Sequence, residues 1–151
     1  MEKIKIYLDN CAYNRPFDDQ SQIRISLESQ AKLYIQRLIT DKKIVLVYSY
    51  MSLYENNDNP HEERQLSIAD FFRNAAIFVD YDRAEKIEAI AAEIMKCQIM
   101  NKDAIHIACA IEARCDYFIT TDDNLVKKYK DTEIIICNPV DFVKVLEEQN
   151  E

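Results

Sequence analysis

Residues 102–122 read KDAIHIACAIEARCDYFITTD. The first part, residues 102–114, is apolar almost all round a helix, which predicts a buried helix that Asn101 can cap. Residues 117–120 are aromatic and β-branched, as expected for a short buried strand. Asp122 lies two residues beyond the end of that predicted strand. A buried helix followed directly by a buried strand indicates an α/β protein.

The same alternation extends over the rest of the chain. Predicted strands lie at residues 4–8, 44–48, 77–79 and 134–137, and predicted helices at residues 21–40, 50–56, 61–75, 82–97, 122–129 and 140–148, with a loop over residues 10–20. Short apolar strands that alternate with helices are typical of a parallel sheet covered by helices on both faces. No repeat or long linker interrupts the pattern, so we expect one domain over residues 1–151.

Composition limits the class of protein. The chain carries 27 acidic and 19 basic residues, a net charge of −8, which argues against broad non-specific binding to nucleic acid. No apolar run approaches the roughly 18 residues of a membrane-spanning helix, and the N-terminus lacks a signal-peptide pattern. Five cysteines without a C-x-x-C pair indicate reduced thiols. We therefore expect a cytoplasmic protein with no membrane partner.

Glycine is absent from the chain. The glycine-rich loops that bind phosphates in P-loop and dinucleotide-binding proteins are therefore excluded. Tight turns are expected to use Asn and Asp, which tolerate a positive φ better than most other residues.

Four acidic residues are predicted to converge at one edge of the sheet. Asp9 ends the first strand, Asp122 follows the fourth, Glu55 lies on the helix after the second, and Asp103 lies in the first turn of the buried helix. In parallel α/β sheets, ligands bind beyond the carboxyl ends of the strands. Clustered carboxylates repel one another, and Mg²⁺ or Mn²⁺ relieves that repulsion. Such an ion could activate water and neutralise a scissile phosphate.

Each acid also has an ordinary structural explanation. Asp103 suits the positive end of a helix dipole, and Asp122 could cap the helix after it. Asp9 could close a turn, and Glu55 could be a solvated helix residue. The four together, at these places in the predicted fold, are a more specific signal than any one of them.

Three segments resemble the PIN-domain ribonuclease family. The strand that ends in Asp9 is similar to the family's opening strand, and residues 102–110 resemble its D-A-x-x-x-A helix. Residues 118–122 resemble its strand followed by T-x-D. Glu55 lies where the family keeps a helix glutamate. The resemblance covers nearly the whole chain in the right order.

The resemblance implies an α/β/α sandwich around a parallel sheet of about five strands, and a ribonuclease that cleaves RNA. It also implies that Asp9, Glu55, Asp103 and Asp122 bind Mg²⁺ or Mn²⁺, with the Thr120 hydroxyl near the metal or a phosphate oxygen. Many family members carry an aspartate where this chain has Asn124. Many are toxins held inactive by an antitoxin partner.

Other residues are weaker candidates. We expect Asn10, Arg15 and Asn124 to contact substrate. His106 lies three residues after Asp103, and a hydrogen-bonded core histidine is a better interpretation than a catalytic one. Aromatic residues near the edge, such as Tyr54, could stack on unpaired bases, although packing is the commoner role.

Three other functions stay open. The first is a metal-dependent phosphohydrolase of small phosphate esters, and the second is a non-catalytic or partner-inhibited interaction module of the same fold. The third, a receiver-like signalling domain, fits poorly because the fifth strand contains no lysine. Tyrosine-bearing apolar helices also make a homodimer a reasonable expectation.

Overall fold

A five-stranded parallel sheet forms the centre of the computed structural model, which describes residues 2–149. The strands are β1 (Lys5–Leu8), β2 (Val45–Ser49), β3 (Ile77–Val79), β4 (Tyr117–Ile119) and β5 (Ile135–Cys137), in the order β3-β2-β1-β4-β5. The strand order reverses beside β1, which pairs with β2 on one side and β4 on the other. Such a reversal leaves a crevice at the carboxyl ends of the strands.

Within residues 2–149, eight α-helices connect and cover the strands. They are α1 (Asn10–Asn14), α2 (Ile23–Thr40), α3 (Tyr50–Asn57), α4 (Glu62–Phe71), α5 (Ala84–Met95), α6 (Asn101–Glu112), α7 (Asp123–Lys128) and α8 (Pro139–Gln149). Short 3₁₀ turns occupy Arg15–Phe17, Phe72–Asn74 and Tyr81–Arg83. Among the described residues, no helix has the length and hydropathy needed to cross a bilayer.

Side chains of β1 alternate between two hydrophobic cores, as expected of a strand buried on both faces. Tyr7 points into a core that contains Ile87 of α5 and Ile107 of α6. Ile6 and Leu8 point into the opposite core, which α2 and α8 help to form. The expected α/β/α sandwich with a parallel sheet of five strands is thus confirmed.

The predicted loop over residues 10–20 is wrong in its first half. Asp9 caps α1, since its side chain accepts the Asn10 N–H at 2.8 Å. Ala12 and Tyr13 are buried in the core of the α2 side, and a 3₁₀ turn that contains Pro16 follows α1 directly, at Arg15–Phe17. Because α1 is only five residues long, its sequence shows too little periodicity to be recognised.

Two further expectations about helix ends are wrong. Met100 rather than Asn101 precedes α6, and the Ala104 N–H bonds to the Met100 carbonyl, which makes Asn101 the first helical residue. Positive φ values fall on Lys42, Gln98 and Arg114 instead of on Asn or Asp. These three residues follow the C-terminal ends of α2, α5 and α6, where a left-handed residue satisfies the last carbonyls of a helix.

Candidate active site

A cleft of about 510 Å³ opens at the carboxyl ends of β1 and β4. All four predicted acids line it: Asp9, Glu55, Asp103 and Asp122. They come from the end of β1, from α3, from α6 and from the residue that caps α7. The reversal of strand order at β1 therefore brings together residues that are up to 113 positions apart in the sequence.

Asp9 is nearly buried, with 6% of its surface exposed. One carboxylate oxygen accepts the Asn10 N–H, and the other accepts the Thr120 hydroxyl at 2.9 Å. The Cys11 thiol lies 3.5 Å from the second oxygen. These donors hold the carboxylate in one orientation at the floor of the cleft.

Thr120 lies behind Asp9 and is fully buried. Its hydroxyl oxygen accepts the Asp122 N–H at 3.1 Å while the hydroxyl donates to Asp9. Thr120 is not among the residues that line the cleft. Its side chain therefore ties the end of β4 to the end of β1.

Asp122 caps α7 with a single carboxylate oxygen, which accepts the N–H groups of Asn124 and Leu125 at 3.0 and 3.3 Å. Its second oxygen is not used by the cap. Asn124 is exposed and does not line the cleft. The structure thus keeps Asp122 at the site and leaves Asn124 outside it.

Glu55 is held by a histidine. The Nε2 atom of His106 lies 2.9 Å from the Glu55 Oε1 atom, and the histidine ring is fully buried. Burial alone raises the pKa of Glu55, but the hydrogen bond and the charges of His106 and Lys102 outweigh it and lower that pKa. His106 is therefore a hydrogen-bonded core residue, as the sequence indicated, and its partner is one of the candidate metal ligands.

Asp103 shows the effect of the acidic surroundings most clearly. The pKa of its carboxyl is raised to about 6, chiefly by burial and then by the charges of Asp9, Asp122 and Glu55, against the opposing effect of His106. Asp9, Asp122 and Glu55 are thus close enough to disfavour the ionisation of Asp103.

The chemistry of this donor set fits a hard divalent cation. Carboxylate oxygens are the ligands that Mg²⁺ and Mn²⁺ prefer, and a cation would relieve the repulsion that raises the pKa of Asp103. Within residues 2–149, no three His, Cys, Asp or Glu side chains already stand in the arrangement of a bound metal.

Another part of the cleft wall carries polar and basic side chains. Arg15 lines it, but the guanidinium lies 3.2 Å from Asp18 and 3.2 Å from the buried Glu28. The positive charge of Arg15 is therefore already paired with acidic side chains of the protein. Asn10 lies on the side of the acids and also lines an adjoining groove.

Sequence reasoning missed most of this wall, which is formed by Asn14, Asp58, Asn59, His61 and Arg64. An Asn59–Asn14 hydrogen bond of 3.0 Å joins α1 to the turn before α4. His61 and Arg64 are three residues apart at the start of a helix, a spacing that places them on one face. That spacing was the one feature of the sequence that could have indicated this part of the cleft.

Comparisons with known proteins identify the fold. No protein-family model matches the sequence, and no curated protein sequence does. Two solved structures share the fold: VapBC2 from Rickettsia felis, bound to a DNA fragment from their promoter, and FitAcB from Neisseria gonorrhoeae. The first is 14% identical and the second 16%, each with a TM-score of 0.57 over 89% of this chain; the matches cover 98% and 97% of those chains.

At these identities the likeness is one of fold. The expected PIN-like fold is confirmed. The roles of individual site residues rest on the geometry above.

Proposed function

We propose that this protein is a Mg²⁺- or Mn²⁺-dependent endoribonuclease of the PIN type. The observation that carries the proposal is the convergence of Asp9, Glu55, Asp103 and Asp122 in one cleft at the reversal of strand order. A bound cation would activate water and neutralise charge on the scissile phosphate.

The protein's own side chains orient the site. Asp9 is fixed by Asn10 and Thr120, and Asp122 by its two cap hydrogen bonds. Each keeps an orientation that does not depend on substrate, which reduces the reorganisation needed for the reaction. Because the pKa of Asp103 is raised to about 6, its carboxylate is ionised at neutral pH at a cost in free energy that a bound cation would relieve.

A second groove next to the cleft supports an extended substrate. It is lined by Asn10, Met100 and Lys102 and shares Glu55, Asp58 and Asp103 with the cleft. The Lys102 ammonium lies 5.6 Å from the centre of the exposed Tyr54 ring. A basic group beside an exposed aromatic ring suits a phosphate and a stacked base of single-stranded RNA.

The overall charge indicates a selective enzyme. At a net charge of −8, the protein offers few phosphate contacts, and Arg15 and Arg64 on the cleft wall are both near Asp18. General affinity for RNA should therefore be weak. Recognition would depend on the shape of a particular RNA at the two grooves.

A protein partner is part of the proposal. Both VapBC2 and FitAcB are toxin–antitoxin complexes. On that likeness of fold we infer that this chain acts as a toxin that an antitoxin holds inactive. A non-catalytic module or a phosphohydrolase of small esters would have the same fold but would leave RNA intact.

The test is cleavage of a panel of labelled RNAs in the presence of Mn²⁺, with Asp103→Asn as the matched variant. We expect wild type to cleave and the variant to lose cleavage by at least about 100-fold, since one of four metal ligands is gone. Expressed without a partner, wild type should slow bacterial growth and the variant should not. Equal cleavage by both proteins would identify a contaminant and contradict the proposal.

A further inference from the structure

Glu55 is the end point of a buried chain of hydrogen bonds that starts at the beginning of its own helix. Ser49 caps α3, and its Oγ lies 2.7 Å from the Tyr7 hydroxyl, which also lies 3.0 Å from the Ser52 Oγ. The Tyr7 hydroxyl is 2.5 Å from Nδ1 of His106. His106 then reaches Glu55 through Nε2. The chain thus passes from α3 through β1 and α6 and back to α3.

The capping box of α3 sets the direction of these hydrogen bonds. Ser49 Oγ accepts the N–H groups of Met51 and Ser52, and Ser52 Oγ accepts the N–H of Ser49. Backbone N–H groups can only donate, so each serine hydroxyl keeps its single proton for another acceptor. The contact between the two hydroxyls is longer, at 3.4 Å. The Ser49 oxygen already accepts two N–H groups, so its proton goes to its nearest acceptor, the Tyr7 oxygen.

The direction of donation continues to the active site. Because Tyr7 accepts from Ser49, its own proton is free for its nearest remaining partner, Nδ1 of His106, at 2.5 Å rather than Ser52 at 3.0 Å. A neutral imidazole that accepts at Nδ1 carries its proton on Nε2, and this N–H points at Glu55 Oε1. Glu55 can then serve only as an acceptor. Tyr7, Ser49 and His106 are fully buried, so bulk water does not compete for these bonds.

We propose that Tyr7 and His106 are positioning residues that hold the Glu55 carboxylate toward the metal centre, with the proton direction set by the Ser49–Ser52 capping box. This inference rests on the proposed function, because it assumes that Glu55 binds the metal. Hydrogen-bond partners of metal ligands orient them, and their loss weakens metal binding. Tyr7 has no hydrogen bond to Glu55 and does not line the cleft. Its substitution therefore tests the buried series of hydrogen bonds without changing the cleft itself.

The experiment measures the dissociation constant of Mn²⁺ by calorimetry in Tyr7→Phe and His106→Asn. Asn at position 106 can still accept from Tyr7 but is too short to reach Glu55. Tyr13→Phe is the matched control, because Tyr13 is a buried tyrosine whose hydroxyl has no hydrogen-bond partner among the described residues. We expect Mn²⁺ binding to weaken about 10- to 100-fold in the first two variants and to stay within about twofold in the control.

Nitrogen-15 NMR of the metal-free wild type at mildly alkaline pH reports the tautomer of His106. It therefore distinguishes a positioning role of Tyr7 from a merely structural one. We expect the His106 proton on Nε2, and loss of that single tautomer in Tyr7→Phe. A proton on Nδ1, or wild-type Mn²⁺ affinity in Tyr7→Phe, would overturn the inference while leaving the proposed function intact. If wild type itself bound no Mn²⁺, the proposed function would fall and the inference with it.

Discussion

Ionisation of the Asp103 carboxyl is opposed both by burial and by neighbouring acids. The residue is half-buried in the first turn of α6, and three other acids lie near it. Its position at the start of a helix offsets part of the cost through the helix dipole, yet its pKa still rises to about 6. A site that lowers the stability of the empty protein is typical of function.

The stability of the metal-free protein should therefore increase in Asp103→Asn. The native state holds the Asp103 proton up to about pH 6, whereas the unfolded chain releases it near 3.8. The cost of ionising Asp103 thus develops between pH 4 and 6 and is fully present above that range. We expect a gain of about 1–2 kcal/mol at neutral pH after allowance for solvent screening, and no gain below about pH 4.

Urea unfolding with a chelator present, at acidic and at neutral pH, measures this difference. Asp70→Asn is the control, because Asp70 is exposed and forms only a surface ion pair with Arg73, and its stability should change by less than about 0.5 kcal/mol. A neutral-pH stability of Asp103→Asn below that of wild type would show that the carboxylate is a structural support rather than a destabilising ligand.

Helix α2 shows where periodicity succeeds and where it fails. The pattern correctly predicted a helix that ends at Thr40. However, Ile23, Leu27 and Tyr34, which contributed to that pattern, are exposed. The face that packs against the protein carries Glu28, Ser29 and Lys32 beside Ile35 and Ile39. Glu28 is buried because Arg15, Arg24 and Asn138 all reach it from other parts of the chain, and none of those contacts is visible in a local pattern.

Lys32 provides the prediction for this helix. It is 5% exposed, donates to Gln36 at 2.7 Å, and lies over the rings of Tyr13 and Phe71. Burial lowers its pKa to about 8. The native state therefore binds fewer protons than the unfolded chain between about pH 8 and 10.5, and stability due to this group rises with pH over that range.

Lys32→Met should be more stable than wild type at neutral pH by about 1–2 kcal/mol, because the cost of burying the charge exceeds the lost contacts. The advantage should be mostly lost near pH 10, where Lys32 in the native state is already neutral. Urea denaturation at the two pH values measures it, with the exposed Lys96→Met as control. A variant less stable than wild type at neutral pH would show that the ammonium–aromatic contacts outweigh desolvation.

Sequence alone could predict the architecture because its signals are local. Short apolar strands require a parallel sheet, and the parallel sheet brings the ends of β1 and β4 together. The acids on α3 and α6 follow from the same rule once Ser49 is recognised as a cap. The predicted metal ligands consequently share one cleft in the structure, although their roles stay predictions.

The rest of the site depends on contacts over long distances in the chain. Tyr7 and His106 are 99 positions apart, and neither residue carries a local signal of the other. The wall with Asn59 and Arg64 depends on how the turn before α4 docks against α1. The Thr120–Asp9 bond joins two strands. Such pairings follow from the packing of whole elements.

At the scale of the whole molecule, the acidic net charge has to be compatible with the proposed binding of RNA. Only part of the net charge of −8 lies in the cleft, and a bound divalent cation would neutralise two of those negative charges. The remaining acidic surface opposes general binding to RNA. We therefore expect the acids of the cleft to bind metal, which would give a function to their charge and to the raised pKa of Asp103.

The most direct measurement is the anomalous diffraction of Mn²⁺ in crystals of the wild-type protein, grown at a Mn²⁺ concentration that saturates binding in calorimetry. We predict a peak in the cleft with carboxylate oxygens of Asp9 and Asp103 at about 2.1–2.2 Å, with Glu55 or Asp122 bound directly or through water. A peak away from these acids, or no peak in the cleft at saturation, would contradict the assignment of this cleft as a metal-dependent nuclease centre.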